Sequence, residues 1–492
     1  MLVVALGITG GAYGFTWQQL GSDIEGEDAN DRLGAVSLSD SGHTMAVGAH
    51  YDNSEGSVSV LQYNTTDNQW QKIGNDIQAI QQSSRFGQAV QLSGDGNTVA
   101  VGAVYHDYNT TISDSGAVMV YSYEESTGSW TQKGNTIEFP IQNLFLGEYH
   151  NELSISGDGS ILAIGIIRDT ISSTYDGRVH VYQFNSGNWE LMGAEIPGPE
   201  DNDKFGAGVS LSHDGQTLAV GAPDRSASAS YGGSLKIYEF SNGIWTQKGS
   251  ELYGDNSGNF FGNDVSLSGD GNIVASGAYG YDEDSSTNSR EGRVRVFNWT
   301  NGQWAPLGSP IVGEAHDDQS GTSIELSDNG LTIAIGDPLN NGTDPSHSNK
   351  GHVRFYRYTE NNWVQVFGDI DGEGDGDYSG GNIGLSCNGE IVAVGATKNG
   401  NNAGHVRVFE VPDATGSDAT CLAKFSTPTQ NPTVSPPPNE SSEDNSAQLG
   451  IIIGSVAGGI VVIGGLVYLG MNWSRLRGGK TNPTTNLGNL IF

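Results

Sequence analysis

Five acidic side chains stand at alternate positions in one short segment: Asp369, Asp371, Glu373, Asp375 and Asp377. Carboxylates at that spacing could supply oxygens to Ca2+, which takes about six to eight of them. The bidentate Glu that completes an EF-hand loop is missing; its place is Gly380. The plainer alternative is an acidic, solvated connector, and residues 28–31, 200–203 and 317–318 repeat that composition. Cys387 and Cys421 are the only cysteines, and in an exported chain two lone cysteines favour a bridge. Catalytic chemistry finds less support. H-E-x-x-H, G-x-S-x-G and G-x-x-x-x-G-K-[ST] are all absent from the sequence. The ten histidines are scattered; His347 and His352 fall near Asp344 and read as exposed polar loop residues.

The elements that position these residues are repeats. Trp17, Trp70, Trp130, Trp189, Trp245, Trp304 and Trp363 recur every 53–60 residues. A turn ending in glycine recurs with them, as in Asp95-Gly96, Asp214-Gly215 and Asp270-Gly271. A third marker is glycine before an alternating strand: Gly56, Gly116, Gly177, Gly233, Gly292, Gly351 and Gly404. The unit around Leu211 reads as four strands. Val209 to Ser212 alternates apolar and polar, and Asp214-Gly215 fits a hairpin turn. Leu218-Ala219-Val220-Gly221-Ala222 is apolar on both faces, Leu235 to Phe240 alternates again, and Trp245 opens the last strand. No 3.6-residue period competes. Gly is 72 of 492 residues, which suits many tight turns. The fold class is therefore all-β, a seven-bladed β-propeller of four-stranded blades, which hides strand edges by radial repetition.

The array starts on a Trp strand, residues 17–24, and ends on an alternating strand, residues 404–409. The last blade thus lacks a fourth strand that the first segment can supply. The regular tryptophans are expected to pack between blades rather than to stack on carbohydrate.

Phe86-Gly87, Phe205-Gly206 and Phe261-Gly262 each precede a strand, a turn and a Gly-Ala or Ser-Gly-Ala strand end, and Gly221-Ala222-Pro223 follows the second. On these residues residues 16–411 resemble FG-GAP repeats, the blades of integrin α-chain propellers. Leu33-Gly34, Ser320-Gly321 and Ser379-Gly380 are looser matches, and Leu146-Gly147 reads as out of register. The resemblance implies a surface propeller. It also implies calcium in the first hairpin of a blade, but that hairpin here is Ser-Gly-Asp-Gly or similar, too short to wrap the ion. The 369–377 segment stands elsewhere, before an inner strand.

Outside the propeller (15–411) the pattern stops. Residues 412–448 are a Pro/Ser/Thr-rich stretch that cannot bury a core and read as a stalk. Residues 449–471 carry no charge and are long enough for one transmembrane helix. Arg475, Arg477 and Lys480 follow, which puts the short basic tail, 472–492, in the cytoplasm and the propeller outside. Residues 1–14 are apolar and small and read as a signal-peptide remnant without a basic n-region. Export fits the sequons at Asn64, Asn109, Asn298, Asn341 and Asn439. Gly450, Gly454 and Gly458 fall on one face of the span, a seam through which two copies could pack.

A net charge of −35 argues against a nucleic-acid partner. Three readings remain: a single-pass protein of the plasma membrane or another secretory-pathway membrane that binds an extracellular protein or glycan; an extracellular enzyme with a propeller active site; and a structural glycoprotein of the cell cover. The long connectors 105–115, 168–176, 279–291 and 338–350 leave the same face as the acidic connectors, and that face is the expected recognition surface. Calcium is the one cofactor expected, at the 369–377 segment.

Overall fold

The structure, a computed structural model, describes residues 17–411 apart from 145, 147–151, 168–176, 201, 228, 284–288 and 343–347. The leader, the stalk, the span with Gly450, Gly454 and Gly458, the basic tail, Asn439 and Cys421 lie outside the described residues. Among the described residues no helix is long and apolar enough to cross a membrane.

Seven antiparallel sheets follow one another, one per repeat. Blade 4 shows the pattern: inner strand Val209–Leu211, second strand Thr217–Ala222, third strand Ser234–Ser241 and outer strand Ile244–Gln247. Sequence order is spatial order, each strand pairing with the one before it; the first-to-second and third-to-outer links are tight turns, and the second-to-third link is the long connector. The outer strand bulges and returns as a two-residue piece, Leu252–Tyr253, that pairs again with the third strand.

Blade 7 has three strands of its own, Asn382–Leu385, Ile391–Ala396 and His405–Glu410. Its outer strand comes from the other end of the chain. Gln18 lies opposite Glu410, and Glu25 opposite His405. The leftover strands at the two ends of the array thus pair as the repeat arithmetic requires.

The core lies between blades. Val179, Val181 and Ile196 of blade 3 pack with Phe205, Val209, Leu218 and Val220 of blade 4. Each such side chain contributes about 1.5–3 kcal/mol on burial. The glycines of the Phe-Gly and Gly-Ala pairs explain how closely the sheets approach. A Cβ on Gly221 would stand 1.9 Å from the carbonyl oxygen of Gly262 in the next blade, and one on Gly48 would stand 2.0 Å from that of Gly87. The Phe-Gly glycine of one blade and the second-strand glycine of its neighbour are therefore two halves of one backbone contact. Leu146 bridges Gly116 as Phe205 bridges Gly177. The third unit is thus in register, with Leu146, only 1% exposed, in the phenylalanine's place.

The tryptophans tie the outside of the ring. Trp130 Nε1 donates to the Ile73 carbonyl of the blade before it, Trp245 to Met192 and Trp363 to Leu307. At the seam Trp17 donates to Gly368 instead and packs on Phe355 and Phe367. Each accepting carbonyl lies at or beside the outer-strand bulge, so the bulge sets the spacing between blades.

Candidate functional site

The short first hairpins gather at one end of the axis. There seven backbone hydrogen bonds run from blade to blade in a closed belt. Cys387 N–H donates to Asp40, Asp40 to Gly94, Asp95 to Gly157, Gly157 to His213, His213 to Gly269, Gly269 to Asp328 and Asp328 to Cys387. Side chains fill the space inside. His213 Nε2 lies 3.0 Å from Asp40 Oδ2, linking blade 4 to blade 1. Gly157 and Gly269 leave room for their neighbours: a Cβ on Gly157 would strike the His213 ring, and one on Gly269 the Asp328 carboxylate. Burial disfavours the His213 cation, but the Asp40 bond and the charges of Asp40, Asp328 and Asp158 outweigh it and raise its pKa. Cys387 is disulfide-bonded, and its expected partner Cys421 lies outside the described residues.

Farther along the axis the inner strands hold one another by serine. Ser37, Ser154, Ser210 and Ser266 each accept the backbone N–H of the next blade's leucine: Leu92, Leu211, Leu267 and Leu326, at 2.9–3.0 Å. Glu325 occupies the corresponding place in blade 6. Burial and then the nearby Asp264 charge push it up to about 8, against a hydrogen bond from Ser266. Asp264 accepts the Val265 and Ile324 N–H groups, yet burial still lifts it to about 7. Ser37, Ser154, Ser210 and Glu325 border an axial cavity of about 160 Å³. Small-molecule pockets usually measure about 300 Å³ or more.

The acidic segment does not gather round one point. Asp369 and Asp371 each lie 4.0 Å from His352 Nδ1. Glu373 faces His405 and Arg407 at 3.8 and 3.7 Å. Asp375 accepts the Ser348 N–H, and Asp377 turns inward to accept the Gly374 N–H at 2.7 Å. Asp31 and Asp318 cap the equivalent turns, accepting the Asp28 and Ala315 N–H groups. Of the repeated acids Asp31, Asp318 and Asp377 are thus buried turn caps, whereas Asp203 meets Arg225. Among the described residues two other groups bring three donors together, Asp23–Glu373–His405 and Glu314–His352–Asp369. Arg407 faces Glu373 in the first and Arg354 faces Glu314 in the second, which disfavours a bound cation. The residues present therefore do not fit a calcium ion.

His352 is not an exposed loop residue. It opens the third strand of blade 6, is 1% exposed, and sets Nε2 2.8 Å from Asp337 Oδ2. Arg354 Nε donates to the same oxygen at 2.7 Å. The alternation of that strand points both side chains the same way, so the network is a structural clamp. His347 lies outside the described residues.

The opposite face carries the connectors into the inner strands and the loops out of the second strands. Among the described residues the one just before each Phe-Gly position is left-handed: Arg32, Arg85, Lys204, Phe260, Gln319 and Tyr378 have φ of 51–57°. In five of these six, all but Gln319, its side chain meets one just past the second strand of the same blade. Arg32 lies over Tyr51 at 4.6 Å, Arg85 over Tyr105 at 4.3 Å, and Lys398 over Tyr378 at 3.8 Å. Lys204 pairs with Asp224 at 3.0 Å, and Phe260 stacks on Tyr279 at 5.0 Å. Sequence reasoning passed over these pairs, although each member stands beside a marker it had aligned. Asn109 and Asn341 are exposed on this face, Asn64 ends a third strand, and Asn298 sits inside one, between Ile273 and Ala305. Connector 168–176 lies outside the described residues, as do parts of 279–291 and 338–350.

No family model matches the chain, and no curated protein matches it. Among solved structures it is similar to a protein described as a "putative 6-phosphogluconolactonase" from Bacteroides uniformis ATCC 8492. The identity is 13%, over 69% of this chain and 85% of that one, with a TM-score of 0.45. A likeness of that size bears on neither substrate nor site.

Proposed function

We propose that the chain is a surface-displayed propeller of the FG-GAP type that binds an extracellular protein or glycan through its loop face. In this reading residues 449–471 anchor it by one span in the plasma membrane or another secretory-pathway membrane, with the propeller outside and residues 472–492 in the cytoplasm. Two copies can pack along Gly450, Gly454 and Gly458. The observation that carries the recognition role is the divergence of the loop-face pairs. One backbone position presents Arg-Tyr, Lys-Asp, Phe-Tyr and Tyr-Lys pairs in different blades, on a scaffold that is otherwise repeated. A scaffold that holds its backbone constant and varies its exposed tips is suited to recognition.

The test is a screen of the full chain, purified in detergent, against arrays of glycans and surface proteins, with and without calcium. Binding should fall on substitution of Lys204 or Phe260 and survive substitution of exposed Asn242 on the opposite face. Loss at Asn242 alone, or no ligand on either array, rejects the reading. Protease added to intact cells should remove the propeller; its protection would reverse the orientation.

A further inference from the structure

We propose that the patch built by Arg32, Tyr51, Arg85 and Tyr105 binds an acidic sugar, a single saccharide ring bearing one carboxylate or sulfate group. The proposal rests on the loop-face reading and names the ligand chemistry of one sector of that face.

Two guanidinium groups share one ring here. Arg32 lies 4.6 Å and Arg85 4.9 Å from the Tyr51 centroid, and Arg85 also lies 4.3 Å from that of Tyr105. Cation–π attraction holds each group to a ring without neutralising it. Among the described residues no carboxylate pairs with either arginine, whereas Arg178, Arg225, Arg293 and Arg354 each meet one. The nearby acids are engaged elsewhere: Asp31 caps the Asp28 N–H, and Asp52 accepts from Asn53. His50, whose ring lies 4.9 Å from Tyr51, adds no charge, since burial and then the two arginines push its pKa down to about 3. A chain of net charge −35 thus keeps two arginines side by side with no carboxylate among the described residues in contact with either.

The backbone supports the same reading. Both arginines hold left-handed φ, 54° and 51°, where glycine would be easier to accommodate. The turn therefore keeps long side chains at a position that disfavours them. A guanidinium stacked on a ring still presents its in-plane N–H fork, which matches a carboxylate or sulfate. The two loops that carry Arg85 and Tyr105 also expose Ile80 (62%) and Tyr108 (40%), apolar surface for the C–H face of a sugar. One acid group is favoured over a polyanion, because the negative field of the whole chain repels multiply charged ligands. A peptide is less suited, because this face offers loops rather than an open strand edge for its backbone to join.

The experiment titrates glucuronate, glucose 6-sulfate and glucose into the full chain by calorimetry at low salt. Both acidic sugars should bind and glucose should not. Arg85→Gly should weaken binding about tenfold, the loss of one charge-assisted contact, with the thermal midpoint unchanged, because glycine suits the φ there. Arg85→Lys should bind more weakly than wild type and more tightly than Arg85→Gly, because the charge stays and the fork is lost. Glucose binding as tightly as glucuronate, or unchanged binding in Arg85→Gly, overturns the proposal. Inorganic sulfate or a short Asp-containing peptide binding as tightly as the acidic sugars overturns the saccharide assignment. If these sugars fail while the arrays return a ligand sensitive to Lys204 or Phe260, this proposal falls and the loop-face reading stands. If both fail, both fall.

Discussion

The two ends of the propeller axis are built on opposite plans. At the hairpin end the backbone does the joining: a belt of seven hydrogen bonds passes through every blade, and glycines make room for Asp40, His213 and Asp328. At the loop end the same backbone turn recurs, but side-chain pairs of different chemistry stand on it. Stability is concentrated where the repeats agree, and recognition is available where they differ. The contrast can be broken by any variant that costs stability at the loop end or only binding at the hairpin end.

The largest effect should come from removing residues 1–25. Blade 7 would lose the strands opposite His405–Glu410, and Trp70 would lose the Leu20 carbonyl it donates to. The truncated chain should fail to show a cooperative melt by circular dichroism; a wild-type midpoint would mean that the ring does not depend on the seam. Next is Gly221→Val, which forces a Cβ to within 1.9 Å of the Gly262 oxygen. Overpacking there should cost about 3 kcal/mol in denaturant unfolding, and a cost below about 1 kcal/mol would show that the blades slide apart easily.

Glu325 sharpens the comparison through pH. Its folded pKa is raised from 4.5 to about 8. Between those values the unfolded chain gives up a proton that the folded chain retains, so this contribution is full below the lower value and is lost as pH rises toward the upper one. Glu325→Gln keeps the neutral form at every pH. Its thermal midpoint should therefore fall less than that of wild type between about pH 5 and pH 8. Parallel curves would mean that Glu325 ionises in the folded protein as it does in water. At the loop end, Lys204→Gly removes a pair with Asp224 but relieves a φ of 53°. Its stability should stay within about 1 kcal/mol of wild type, and a larger loss would blur the distinction between the ends. The smallest effect is expected from calcium. Because the five acids between Asp369 and Asp377 face different partners, calcium should move the midpoints of wild type and of the Asp371→Asn, Asp375→Asn double variant equally. A shift confined to wild type would restore the metal site.

What could be read from the chain was whatever repeats. Trp245 and Trp304, Gly221 and Gly262, and the leftover strands near Trp17 and Phe409 are periodic, and periodicity is the trace that blade geometry leaves in a sequence. The features that were not legible depend on residues the repeats do not share. His213 and Asp40 are 173 positions apart and meet only because blades 1 and 4 both reach the axis. Arg85 joins Tyr51 across a blade boundary, and nothing in the spacing of the two shows which way a left-handed turn aims its side chain. Asp377 was legible as a charge but not as a cap, because capping is a matter of which backbone N–H a carboxylate meets.

The seam also sets a schedule. Gln18 and Gln19 are among the first residues of the propeller to be made, and their partners Phe409 and Glu410 are among the last. At synthesis rates of about 5–20 residues per second, the first strand waits on the order of 20–80 s for a partner. During that time it remains an open, pairing-competent edge that a neighbouring nascent chain could capture. Ring closure is therefore the step at which this protein is most exposed to exchanging strands with its own copies, and the one that a slow or stalled ribosome would prolong.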